Sequence, residues 1–95
     1  MDPNVRLQTN PDFVAREVAG EFILVPVGNA AVNFNGLASL NATGRCLWQM
    51  LSEPRTFSEL CYAFAEEYEL TQEQASADVS DFVTLALSRD LVRRV

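Results

Sequence analysis

The stretch AVNFNGLASLNATGRCLWQML, residues 31–51, decides the fold of this chain, because its pattern changes from strand to helix at Leu40. Before Leu40, the side chains alternate between two sides with the period of a strand. After it, Asn41 is placed to cap a helix over residues 42–51, and the large apolar side chains of that helix recur on one face. The sequence therefore predicts a strand that leads directly into a helix.

Small residues occupy the middle of this predicted strand, which runs from about residue 31 to residue 40. Glycine and other small residues weaken a strand, but they allow another backbone to approach closely. Gly36 and Ala38 therefore indicate either a bulge within the sheet or an edge that accepts a partner strand.

Two further strands are predicted upstream. Residues 13–18 and 21–25 are rich in aromatic and β-branched residues, and Ala19-Gly20 between them suits a tight hairpin. A second turn is predicted at residues 26–29, where Pro, Gly and Asn occur together. Residues 1–12 hold two prolines, two asparagines and no periodic apolar pattern, so we expect a flexible N-terminal arm there.

Two capping boxes predict where the second and third helices begin. In Thr56-Phe57-Ser58-Glu59 and Thr71-Gln72-Glu73-Gln74, the Thr hydroxyl can bond the amide three residues later, whose side chain can reach back. The third helix is expected to end near Arg89-Asp90. We expect the second helix to bury Phe57, Leu60, Cys61, Phe64 and Tyr68, and the third to bury Ala75, Val79, Phe82 and Ala86.

Three strands followed by three helices predict the α+β class. The expected architecture is winged-helix-like, with helices covering one face of a three-stranded antiparallel sheet. We place this single domain at residues 13–95, because a chain of 95 residues has no room for a second one.

The composition excludes several classes of function. A formal net charge of -6 opposes binding to nucleic acid and to anionic membranes, both of which depend on Lys and Arg. The chain contains no His, so Ser-His and Cys-His nucleophiles are absent. The sequence motifs of phosphate-binding and calcium-binding loops are absent as well. Cys46 and Cys61 lack a metal-ligand spacing and are interpreted as buried thiols, with a disulfide between them as the alternative. We therefore expect a cytoplasmic protein without enzyme activity, metal or cofactor.

Several runs of residues resemble the PqqD family, over about residues 13–92. The most specific is Leu40-Asn41-Ala42-Thr43-Gly44 followed by Trp48, and the others are Phe13-Val14-Ala15-Arg16, Arg55-Thr56-Phe57 and Asp78-Val79 with Phe82-Val83. Two positions depart from the family pattern. Ala86 stands where the family usually has a larger aliphatic residue, and Asp90 stands where it usually has glycine.

The resemblance implies a domain that captures the extended leader of a ribosomally synthesised precursor peptide as an added strand. The modifying enzyme would be a separate protein, often of the radical S-adenosylmethionine type. Main-chain hydrogen bonds to the added strand would give affinity, and side-chain pockets would give selectivity. The strand residues expected to bind the leader are Val32, Asn33, Phe34, Asn35, Gly36, Leu37, Ala38 and Ser39.

A stripe on the third helix is the candidate for the other wall of this site. It consists of Asp78, Phe82, Leu85 and Arg89, which recur with helical spacing. We expect Phe82 and Leu85 to receive apolar leader side chains, and Arg89 to pair with an acidic one. Alternatively, Leu85 is an isolated surface leucine and Arg89 only complements the helix dipole. The opposite flank, with Val83 and Leu87, is a rival wall.

Two other functions are compatible with the same sequence. The chain could be a carrier or chaperone subunit in the biosynthesis of pyrroloquinoline quinone, binding product or enzyme instead of a leader. It could also be an acidic winged-helix adaptor that only dimerises through its third strand. A monomer or a weak dimer fits all three hypotheses.

Overall fold

The computed structural model describes residues 1–28, 31 and 38–95 of the chain. Along these residues the strands are β1 (Arg6–Thr9), β2 (Phe13–Val18), β3 (Glu21–Pro26), β4 (Ala38–Leu40), β5 (Arg55–Thr56) and β6 (Val92–Arg94). The helices are α1 (Ala42–Met50), α2 (Phe57–Tyr68) and α3 (Gln72–Ser88). Two small antiparallel sheets and three helices within these residues confirm the predicted α+β class.

The first sheet, which we call the hairpin sheet, has the strand order β2-β3-β4. Strands β2 and β3 form the predicted hairpin, with Ala19 and Gly20 at φ values of 51° and 82°. Positive φ at both positions is what a two-residue type I′ turn requires. Strand β4 pairs antiparallel with β3 and forms one edge of this sheet as described. Most of the predicted third strand, at residues 32–37, lies outside the described residues.

The second sheet, which we call the terminal sheet, has the order β5-β1-β6 and has no counterpart among the sequence predictions. Its central strand β1 pairs antiparallel with both neighbours, and Leu7 is fully buried. The expectation of an unpacked arm over residues 1–12 is therefore wrong at Arg6–Thr9. The strand escapes sequence patterning because it is four residues long and buries a single apolar side chain.

The described helices begin at the predicted caps. Oδ1 of Asn41 accepts a hydrogen bond from the Gly44 amide at 2.8 Å, which starts α1. At the starts of α2 and α3, Thr56 and Thr71 form complete capping boxes with the residues three positions on. The structure therefore confirms the predicted helix starts. They are predictable from sequence because each cap is a local interaction among neighbouring residues.

The buried faces of α2 and α3 differ from the predicted ones at two aromatic residues. On α3, Val83 is fully buried, whereas Phe82 is only partly buried. Phe82 faces a groove that no other described element covers. The helical period of the sequence does not show which apolar side chains another element will cover. On α2, Tyr68 is 38 % exposed, because it lies in the last turn and reaches outward to the Ala42 carbonyl.

Helix α3 ends at Ser88, close to the predicted position, in a Schellman motif. The amides of Asp90 and Leu91 donate to the carbonyls of Leu87 and Ala86 at 3.2 and 2.8 Å. Asp90 has a φ of 58°, a conformation that glycine adopts without strain and that Asp tolerates better than most residues. The departure from the family's glycine at this position is therefore compatible with the same helix end.

Candidate functional site

A groove of about 280 Å³ lies between the corner where β4 meets α1 and the flank of α3. We call it the β4–α3 groove. Strand β4 and helix α1 contribute one wall because the chain turns directly from one into the other at Asn41. The described residues that line the groove are Ser39, Leu40, Asn41, Thr43, Gly44, Leu47, Phe64, Asp78, Asp81, Phe82 and Leu85.

The floor of the groove is apolar. Leu47 and Phe64 are 2 % and 1 % exposed, so they belong to the hydrophobic core and present only their outer atoms. Leu40 and Phe82 are partly buried against the same core, and Leu85 is 51 % exposed at the rim. Apolar side chains from a ligand would displace water from these surfaces, which is the main source of affinity in such a groove.

The edge of β4 that does not face β3 has no partner strand among the described residues, and this free edge borders the groove. In the two-residue hairpin, Val18 and Glu21 form a hydrogen-bonded pair. From Glu21 on, every second residue of β3 therefore directs its backbone N–H and C=O to β2, and the residues between, including Phe22, direct theirs to β4. Phe22 is opposite Leu40, and the Leu24 position is opposite Ala38. Ser39 between them therefore directs its N–H and C=O away from β3, to the free edge.

The corner between β4 and α1 is held by a compact set of hydrogen bonds. Oδ1 of Asn41 accepts from the Gly44 amide at 2.8 Å and from the Thr43 hydroxyl at 3.1 Å. A Cβ atom at position 44 would lie 3.1 Å from that same Oδ1 and 3.5 Å from Leu40. Glycine at this position lets the cap and the end of β4 pack closely, so the corner has a physical reason for its Asn-x-Thr-Gly pattern.

Two carboxylates, Asp78 and Asp81, are the charged groups among the described lining residues. They lie three residues apart on α3. Asp78 is one turn before Phe82, and Asp81 is one turn before Leu85. Neither has an ion-pair partner within the part of the chain that the structure describes. The α3 wall of the groove therefore carries two acidic side chains beside two apolar ones.

A second, more polar depression of about 640 Å³ adjoins the groove across Ser39, Leu40 and Asn41. Its cationic group is Arg45, whose guanidinium lies 4.8 Å from the centre of the Phe22 ring and 3.6 Å from the Glu17 carboxylate. Arg45 is thus already engaged with its own chain. The positive charge next to β4 is less available to a ligand than the negative charge on α3.

The potentially reactive side chains are held in unreactive states. Burial raises the pKa of the Cys46 and Cys61 thiols, so both are protonated at neutral pH. Trp48 is 7 % exposed and packs in the core, as predicted. No cluster of three or more metal-ligating side chains occurs in residues 1–28, 31 and 38–95. Within those same ranges, no helix has the length and apolar character needed to cross a bilayer.

The structure brings together part of the predicted peptide site. Ser39 lines the groove opposite Asp78, Phe82 and Leu85, whereas the buried Ala38 side chain points into the core. Arg89 caps the end of α3 and is not among the lining residues. The predicted residues Val32, Asn33, Phe34, Asn35, Gly36 and Leu37 lie outside the described part of the chain.

The rival wall and the missed residues both follow from how α3 is turned. Val83 is fully buried and Leu87 packs against the core, so these two side chains belong to the core and do not line the β4–α3 groove. Asp81 was missed, although its spacing of three residues from Asp78 places the two on one face. The α1 residues Thr43 and Gly44 were recognised as a motif but not as a wall, since only the tertiary structure brings them opposite α3.

Comparisons with known proteins found a family model and a solved structure to which this chain is similar. The family model described as coenzyme PQQ synthesis protein D (PqqD) matches residues 21–92. Among solved structures, the chain is similar to "TbiB1 in Complex with the TbiA(beta) Leader Peptide", with a TM-score of 0.72 and 20 % sequence identity. That match covers 90 % of this chain and 94 % of the other, and at this identity it establishes a shared fold. No curated protein matches the sequence.

Proposed function

The chain belongs to the PqqD family, and we propose that it is a non-catalytic recognition element for the leader of a ribosomally synthesised precursor peptide. It binds the leader as an added strand and presents the peptide to a separate modifying enzyme, of the radical S-adenosylmethionine type. The similar solved structure is of TbiB1 in complex with a leader peptide, which supports this choice of ligand.

The observation that carries the proposal is the free edge of β4 beside an apolar groove. An extended peptide pairs with the outward N–H and C=O of Ser39, and alternate side chains of the peptide then enter the β4–α3 groove. Main-chain pairing is independent of sequence, so Phe82, Leu85 and the groove floor supply the selectivity. Arg89 would contribute only to a peptide long enough to extend beyond the lining residues.

An NMR titration tests this proposal directly. The leader of the precursor peptide encoded beside this chain's gene is added to the ¹⁵N-labelled chain. We expect shifts at Ala38–Leu40 and along the groove face of α3, and no comparable shifts in the terminal sheet. Shifts confined to α2 and the terminal sheet contradict the proposal. A tight homodimer that buries β4, seen by sedimentation, contradicts it as well.

A proline substitution separates edge pairing from general destabilisation. In Ser39→Pro the outward amide donor is lost, and proline is tolerated there because that N–H has no partner among the described residues. We expect leader binding to fall at least tenfold while the circular dichroism spectrum is unchanged. Ala15→Pro is the matched control, because Ala15 by the same alternation directs its amide to the opposite free edge, on β2. Equal binding by both variants contradicts strand addition at β4.

Arg89→Ala tests the remaining sequence prediction. If Arg89 pairs with an acidic leader side chain, binding weakens and the loss disappears at high salt. If Arg89 only complements the α3 dipole, binding is unchanged and stability falls slightly.

A further inference from the structure

The charge of the β4–α3 groove specifies the ligand more closely than its apolar floor does. The sequence had suggested that Arg89 pairs with an acidic leader side chain, but Arg89 is not among the lining residues. The described lining carries two carboxylates and no cation. The charge of the described lining is therefore opposite in sign to that of Arg89, on which the sequence prediction rested.

We propose that the β4–α3 groove selects leaders that place a Lys or Arg side chain against Asp78 and Asp81, next to an apolar side chain on Phe82 and Leu85. This inference rests on the proposed function and names the class of peptide that the same site takes.

The two carboxylates of Asp78 and Asp81 are placed to receive a cation. They lie on one face of α3, three residues apart, at the edge of a groove whose opposite wall is the free strand edge. Neither is paired with a cation among the described residues, so an incoming Lys or Arg does not have to displace an internal partner. Arg guanidinium suits this pair best, because its planar fork can bond two carboxylates at once.

The electrostatic field of the whole chain also favours a basic peptide. With a net charge of -6, the protein repels acidic peptides at long range and attracts basic ones. Arg45, the cation that lines the depression adjoining this edge, is held by Glu17 and the Phe22 ring. An acidic leader side chain within the groove therefore meets Asp78 and Asp81 and no cation among the described lining residues.

The acidic pair lies next to the apolar surface of α3. Asp78 precedes Phe82 by four residues on α3, a rise of about 6 Å along the helix axis. A basic side chain that reaches the carboxylates thus holds a neighbouring apolar side chain over the groove floor. The charge sets which peptide is accepted, and the apolar contact supplies most of the affinity.

A displayed library of random linear peptides of about 16 residues tests the inference without knowledge of the natural leader. The full chain is the bait, and selected peptides are mapped by NMR to confirm that they perturb Ala38–Leu40. We expect Lys and Arg to be enriched in these peptides relative to the starting library. Binding of a selected peptide should weaken about fivefold in Asp78→Asn/Asp81→Asn and should become less sensitive to salt.

The control variant, Glu53→Gln/Glu66→Gln, removes the same number of charges from exposed positions outside the groove. We expect it to bind nearly as well as the unmodified chain. Selection against Asp78→Lys/Asp81→Lys should enrich Asp and Glu instead. On the peptide side, replacing the selected basic residue with Gln should reproduce the loss, whatever the stability of the protein variants.

The outcomes distinguish the inference from the function on which it rests. Peptides that perturb β4 but carry no excess of Lys or Arg, and bind the Asn variant equally well, overturn the inference and leave the proposed function standing. If no selected peptide perturbs β4, the proposed function itself is overturned. A uniform loss in both the Asn variant and the control would mean that only the net charge matters, and that outcome also contradicts selection by Asp78 and Asp81.

Discussion

The two sheets of this small domain use their edges differently. In the terminal sheet, the central strand β1 is paired on both sides and its Leu7 is fully buried. In the hairpin sheet, β4 is paired only with β3 among the described strands, and its other edge faces a groove. Strand β1 thus has its backbone paired on both sides, whereas β4 keeps donors and acceptors available beside the groove. Substitutions in the first sheet should change stability, and substitutions at the second should change binding.

The largest effect is expected from Leu7→Ala. The substitution leaves a cavity in the core beneath β1, so the free energy of unfolding should fall by about 2–5 kcal/mol. Urea denaturation measures this loss, and peptide binding by the remaining folded fraction should be unchanged. A loss below about 0.5 kcal/mol would mean that β1 is a weakly held arm after all, as the sequence suggested.

The next effect concerns Asn10, a buried polar residue between the two sheets. It is 1 % exposed, and its Nδ2 donates to the Asp90 carbonyl at 2.8 Å. Asn10→Ala leaves that carbonyl without its partner, so the free energy of unfolding should fall by about 1–3 kcal/mol. Gln8→Ala is the control, because Gln8 makes only a 3.4 Å contact with Ser52 at the surface. Equal losses would argue against a structural role for the Asn10 clamp.

At the groove beside the hairpin sheet, a substitution should change peptide binding more than it changes stability. Leu85 is 51 % exposed at the rim of the groove, so Leu85→Ala should leave the melting temperature nearly unchanged and weaken peptide binding roughly fivefold. Val18→Ala, at a residue 53 % exposed on β2, is the matched control and should not affect binding. Isothermal titration calorimetry with a selected peptide measures both. If Leu85→Ala binds normally, Leu85 is an ordinary surface leucine.

The smallest effect concerns the cap at the junction of the terminal sheet and α2. The backbone hydrogen bond from Thr56 lowers the pKa of Glu59 below its ordinary value. Its contribution to stability is therefore present above the unfolded-state pKa and is lost as the pH falls through the folded-state pKa. In Glu59→Gln the acceptor remains but no longer titrates, as with Gln74 in the equivalent box of α3.

The urea midpoints of the unmodified chain and of Glu59→Gln should therefore converge as the pH is lowered from 7 to about 3. The shared carboxylates of the two proteins contribute equally and cancel in this comparison. A constant difference between the two midpoints would show that the ionised state of Glu59 adds nothing to the cap.

Sequence reasoning succeeded where the deciding interactions join neighbouring residues. Asn41, Thr56 and Thr71 cap helices through bonds to amides three residues away, and Ala19-Gly20 forms the hairpin turn through its own backbone preferences. These starts and turns required no knowledge of the rest of the chain. The same locality explains why the change from strand to helix at Leu40 was readable.

The groove itself could be anticipated only in outline. The helical spacing of Asp78, Phe82 and Leu85 predicted one wall, but the period alone did not distinguish this flank from the one with Val83. Asp81 and the cap residues of α1 became lining residues through the way α1, α2 and α3 pack together. Arg89 shares the predicted stripe but lies at the end of the helix, past the lining residues.

By itself the sequence determined the helix starts, the hairpin, the α+β class and the absence of histidine chemistry, because each depends on composition or on contacts between near neighbours. Only the tertiary structure decided that β1, β5 and β6 form a sheet, since these short strands are far apart along the chain. It also decided that the free edge of β4 faces an acidic flank of α3. Such pairings depend on packing across the whole core, and no local pattern records them.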